Sequence, residues 1–111
     1  MPLMVGTDLM LPGIFPGYSV HEEMALWQEA GIPAADVLRS ATLVPARFMG
    51  LDKRLGTIAE GKTASMVLVK ANPLDDIRNA DKIEGVFLRG RYFNRHDLDQ
   101  LLEEAKRLAR N

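Results

Sequence analysis

An α/β fold is predicted for this 111-residue chain, and three observations predict it. A short, fully apolar run near the N-terminus, Leu3-Met4-Val5-Gly6-Thr7, leads into three capped segments of helical pattern. Two later runs, Met66–Val69 and Ile83–Phe93, are rich in β-branched and apolar residues and are bounded by turn signals. The last stretch repeats leucine and alanine at the helical period.

Taken in order, residues 3–7 read as a strand buried on both faces, because no polar residue alternates with the apolar ones. Asp8 follows at its C-terminal end. Residues 9–18 form a loop with Pro12-Gly13 and Pro16-Gly17 as turn signals. Ser19 and Glu22 have the spacing of a capping box and are expected to open a helix. Met24 and Trp27 share a face of it, and Gly31 ends it. Pro33 is placed to begin a second helix, with Val37 and Leu38 inward and Asp36 and Arg39 toward solvent. A third, from a Thr42 cap to Met49, stops at Gly50.

The pattern then changes. Leu55–Ile58 and Met66–Val69 are expected strands, with a turn at Glu60-Gly61-Lys62 between them. Asn72-Pro73 breaks the chain. Ile83–Leu88 and Arg91–Phe93 read as a hairpin around Arg89-Gly90, half-buried on both faces. Asn94 is placed to cap a final helix from about Arg95 to Arg110. Leu98, Leu101, Leu102, Ala105, Leu108 and Ala109 make one apolar face, and Glu103 with Arg107 is an expected i,i+4 pair. Acids lead and bases trail along this helix, as its dipole prefers.

The composition is that of an ordinary globular chain, 47% hydrophobic and 26% charged, with a net charge of −1. Nothing in the charge pattern points to a nucleic-acid or membrane partner. The absence of cysteine excludes disulfides and thiolate metal sites. No apolar run has the roughly 20 residues of a membrane span. A cytoplasmic location is expected, any signal falling to a region upstream of Met1. The elements do not close into a fold. One barrel-type strand has no sheet to join, and a few short strands leave edges open. The chain is therefore expected to be a piece of a larger protein or to self-associate.

The ordered stretches Gly6-Thr7-Asp8, Ala30-Gly31-Ile32-Pro33, Val37-Leu38-Arg39-Ser40-Ala41-Thr42, Pro45-Ala46, Leu55-Gly56-Thr57-Ile58, Gly61-Lys62-Thr63-Ala64, Asn72-Pro73-Leu74-Asp75-Asp76-Ile77 and Val86–Arg91 resemble the C-terminal segment of a metal-dependent amidohydrolase of the imidazolonepropionase-like and prolidase-like group. Each stretch is short, and the resemblance lies in their order from residue 3 to about 93. It implies that residues 1–50 are the end of a (β/α)8 barrel, with strand eight and its helices. Residues 51–93 are then the C-terminal part of a small composite β-sandwich, and 94–111 a C-terminal amphipathic helix. It also implies hydrolysis of a C–N bond, of cyclic amide or dipeptide type, by metal-activated water. Asp8 matches the aspartate that binds the metal and serves as general base. A metal lowers its water's pKa toward neutrality, and a carboxylate in reach takes the proton.

The same resemblance implies ligands that this chain lacks. The His-x-His of strand one, the bridging lysine or carboxylate and two further histidines belong upstream. His21 and His96 match none of them. A catalytic zinc site needs about three protein ligands. The family implies zinc or another divalent metal, and this chain alone is expected to hold none tightly and to be inactive. Its expected partners are the missing N-terminal barrel segment or a second copy, with a small amide as substrate of the complete enzyme. The other reading is a non-catalytic globular or oligomerising module derived from such an enzyme. Ser65 stands where the family pattern has an aspartate after Gly-Lys-x-Ala, which bears on local stability more than on chemistry.

Other features have plain structural readings. His21 and His96 are expected to face solvent or pack on loops. Met24 and Trp27 are core residues, with a substrate-loop lining as the alternative. Arg89 and Arg91 are hairpin-turn charges. Gly56-Thr57-Ile58-Ala59-Glu60-Gly61-Lys62-Thr63 satisfies the G-x4-G-K-T string of a phosphate loop, but it lies between strand-like segments and no amphipathic helix follows.

Overall fold

A computed structural model describes residues 2–8, 12 and 16–110. Helix α1 spans Tyr18–Glu29, α2 Ala34–Ala41, α3 Leu43–Phe48 and α4 Arg95–Ala109. Strands β1 (Met66–Val69), β2 (Ile83–Leu88) and β3 (Arg91–Phe93) form an antiparallel sheet in the order β1-β2-β3. A 3₁₀ turn, Ile77–Asp81, joins β1 to β2.

α1 starts one residue before the expected cap. Gly17, at φ 80°, is its N-cap, no side chain caps the end, and Ser19 lies buried inside the first turn. The Ser19–Glu22 capping box is therefore not formed, because Ser19 is already helical and cannot stand in the cap position. The C-terminal end is as expected. Gly31 takes φ 102°, its N–H donates to Gln28 O at 3.0 Å, and Ile32 N–H donates to Trp27 O at 3.1 Å. This is a Schellman closure, which the left-handed glycine permits. Pro33 is the N-cap of α2 rather than its first residue, and its carbonyl accepts from Asp36 and Val37 N–H. Thr42 separates α2 from α3. Its hydroxyl donates back to Leu38 O at 2.7 Å instead of capping α3.

α1, α2 and the 3₁₀ turn enclose the core. Met24, Ala34, Val37 and Ile77 are buried there, with Val5, Trp27, Ile32, Leu38, Ala41 and Ala80 packed around them. Gln28 Oε1 accepts from Ile77 N–H at 2.6 Å, and Arg78 pairs with Glu29, which fixes the turn on α1. Asp76 caps the turn by accepting from Arg78 N–H at 2.9 Å.

The hairpin follows its sequence. Arg89 (φ 51°) and Gly90 (φ 84°) both have positive φ, as a two-residue type I′ turn requires. Phe87 and Tyr92 are directly paired, with ring centroids 4.7 Å apart. The Tyr92 ring lies over Gly85, where a Cβ would come within 2.7 Å of it. Ser65 has a definite task despite replacing an aspartate: its Oγ accepts from Arg89 N–H at 3.2 Å, beside a bond from Gly90 N–H to Ala64 O at 2.8 Å.

Two expected strands are absent. Residues 2–8 join no sheet; Val5 N–H donates to Ser40 O at 3.0 Å and Gly6 N–H to Glu23 Oε1 at 3.4 Å. A strand exists only with a neighbour along its edge, and the described residues offer this segment helices instead. Residues 55–58 are turns, held by Thr63 N–H to Arg54 O and by the Lys62 ammonium. In α4 Glu103 pairs with Lys106 at 3.0 Å, not with Arg107.

Candidate functional site

The segment that carries Asp8 lies against α1 and α2 through the two bonds above. Val5 packs on the core, and the backbone on either side of it is tied to Ser40 and Glu23. Asp8 is exposed and adopts φ 55°. The left-handed region suits aspartate better than most side chains, since its short carboxylate can bond locally. Asp8 thus ends the segment abruptly and faces solvent, free of ion pairs among the described residues. Much of the expected loop, residues 9–11 and 13–15, lies outside the described residues.

His21, in the first turn of α1, is half-buried, and its Nδ1 is enclosed without a hydrogen-bond partner among the described residues. His96 is exposed on α4. Hence the two histidines belong to different parts of the molecule, one under the Asp8 segment's helix and one beyond the sheet. Among the described residues no three His, Asp or Glu side chains converge at metal-ligand spacing. One exposed carboxylate does not make the three-ligand set that a divalent metal needs. The residues present therefore do not fit a metal by themselves.

Met24 is buried and Trp27 packs beside it, so both serve the core. Arg89 and Arg91 lie at the hairpin, and Arg91 stacks over Phe93 at 4.8 Å. The phosphate-loop string is occupied by the protein itself. Lys62 Nζ donates to Asp52 O at 2.6 Å and to Thr57 Oγ1 at 2.5 Å, and the chain runs on into β1 rather than a helix. An open apolar hollow of about 400 Å³ lies between α3, the 55–58 turns and β1, lined by Pro45, Met49, Leu51, Leu55, Ile58 and Met66 among others.

Two positioning groups were not apparent from sequence: the Glu23 carboxylate and the Ser40 carbonyl, which hold the Asp8 segment. Both act across elements, so no local spacing signals them.

Comparison with known proteins fits this layout. The Amidohydrolase family profile matches residues 2–92. Over 41 residues the chain is 42% identical to the N-acetylglucosamine-6-phosphate deacetylase of Haemophilus influenzae (strain ATCC 51907 / DSM 11121 / KW20 / Rd), a match covering 37% of this chain and 11% of that protein. A candidate prolidase from Bifidobacterium longum is similar in structure, with a TM-score of 0.74 and 34% identity over 93% of this chain and 27% of that one. A Xaa-Pro dipeptidase with methionine bound in its active site gives a TM-score of 0.64 and 31% identity over 68% of this chain and 18% of its own. The chain thus spans between about a tenth and a quarter of the length of these relatives.

Proposed function

This chain belongs to the amidohydrolase family, and we propose that it forms the C-terminal part of a hydrolase of C–N bonds, to which it contributes the Asp8 carboxylate. The observation that carries the reading is the placement of Asp8. It ends an apolar segment docked on the α1–α2 core, with its carboxylate turned to solvent where a second body can reach it. A barrel sets its catalytic groups at the C-terminal ends of its strands, and residues 3–7 become such a strand once neighbouring strands lie along them. The relatives' names agree in chemistry, since a deacetylase and a dipeptidase both cleave a C–N bond. Cyclic amides and dipeptides are the proposed substrate class.

In the assembled enzyme Asp8 is a metal ligand and the proton acceptor, zinc or another divalent ion being the group the family implies. In this chain alone the donor set does not fit such an ion, and no catalytic step is assigned to it. The proposed partner is the polypeptide that supplies the remaining barrel strands and their histidines.

The reading of a non-catalytic oligomerising module rests on a different observation, the apolar surface left open on α3, β1 and α4. The reading frame upstream of the Met1 codon separates the two. A frame encoding barrel strands with His-x-His, whose product joined to this chain hydrolyses proline dipeptides or cyclic amides and loses that activity in Asp8→Asn, supports the enzyme. A joined product that keeps full activity in Asp8→Asn contradicts the role given to Asp8.

A further inference from the structure

We propose that α4 is a self-association helix that pairs antiparallel with α4 of a second copy of this chain. The helix leaves its own sheet soon after it starts. Arg95 anchors the first turn by donating to Ile83 O at 2.6 Å, and Leu98 is half-buried. Beyond that point the apolar face has no cover: Leu101 is 51% exposed, Leu102 40% and Leu108 64%, and no residue of α4 is buried. The family match ends at residue 92, before α4 begins, so this surface lies outside the part shared with the family.

Two features on the helix point to a second copy as the occupant. Charge is divided along it. Asp97, Asp99, Glu103 and Glu104 occupy the first part, and Lys106, Arg107 and Arg110 the last. Antiparallel pairing sets the acidic half of one helix beside the basic half of the other, whereas parallel pairing sets like beside like. The exposed pairs Arg95–Asp99 and Glu103–Lys106 are formed within the helix, and such pairs contribute little, so their charges are free to orient a partner. The second feature is Ala105, in the middle of the exposed stripe. With the two-fold axis at Ala105, Leu101 stands opposite the partner's Ala109 and Leu102 opposite the partner's Leu108. A small residue at the crossing lets two helices approach closely, since interaxial distance follows the side chains at the contact. The same patch then serves both copies, as a two-fold interface requires.

The surface area leaves room for this contact. The chain exposes 8365 Å², against about 6,100 Å² expected of a monomer of its mass. The excess is comparable to the total area of a standard interface, about 1,600 Å².

The test is sedimentation equilibrium on the whole chain, with disulfide mapping. The chain has no cysteine, so introduced ones report without background. The wild type should approach twice 12.3 kDa as concentration rises, and Leu101→Glu with Leu108→Glu should remain monomeric with unchanged helix content by circular dichroism. Leu101→Cys and Ala109→Cys should cross-link efficiently when mixed and poorly alone. A monomer at all concentrations, a dimer that survives the double glutamate variant, or cross-links formed equally well by each cysteine variant alone would each overturn the proposal.

Discussion

At the scale of single residues, the molecule depends on a few positions with no slack. Gly56 has φ 97°, and a Cβ there would lie 2.8 Å from the Ala46 Cβ and 3.2 Å from the Leu43 backbone. Gly56→Ala meets both a backbone penalty and a clash with α3, so a loss of about 1–3 kcal/mol is expected, read as a lowered midpoint in thermal denaturation. Ile77 is 1% exposed at the junction of α1, α2 and the 3₁₀ turn. Ile77→Ala should cost about 2–5 kcal/mol, measured by urea denaturation, and no change in the midpoint would contradict the packing described. Asp8 was legible in sequence as a carboxylate ending an apolar run. Its supports were not, because Glu23 and Ser40 come from 15 and more residues away and bond to backbone rather than in a spaced motif.

At the scale of elements, what was legible is what local forces decide. The period of α4, the Asn94 cap and the Arg89-Gly90 turn each follow from spacing or dihedral preference within a few residues. The cap is stronger than expected. Asn94 accepts from Asp97 N–H at 2.9 Å while Asp97 accepts from Asn94 N–H at 3.0 Å, completing a capping box. Asn94→Ala should therefore destabilise α4 by about 1 kcal/mol, seen as earlier loss of helical ellipticity on heating; unchanged melting of the helix would show that the box contributes nothing. The expectations that failed are those that need a neighbour. Residues 3–7 have the composition of a buried strand, but a ladder is a property of two strands, and the described residues present helices to this one. Leu55–Ile58 lacks a partner in the same way and is bent by Gly56 into turns around Lys62. The 3₁₀ turn at Ile77–Asp81 was hidden because five residues are too few for a periodic signal.

At the scale of the whole molecule, the chain is open. Its radius of gyration is 15.0 Å, against about 13 Å for a compact domain of this length, and its surface exceeds that of a typical monomer by roughly a third. Apolar side chains line the gap: Phe48, Met49 and Ile58 are more than two-thirds exposed, beside half-exposed Val67 and Leu68 on β1. β1 also has an unpaired edge, because the sheet order places it outermost. Surface of this extent is suited to being covered by another body. The site tells the same story, since Asp8 stands apart from both histidines and no ligand set forms around it among the described residues. Family membership and an incomplete site are reconciled if the chemistry belongs to an assembly and this chain supplies one corner of it. Titration of the isolated chain with zinc by calorimetry tests that claim most directly. The account predicts no stoichiometric site of submicromolar affinity and no difference between wild type and Asp8→Ala; a one-to-one submicromolar site that Asp8→Ala abolishes would contradict it.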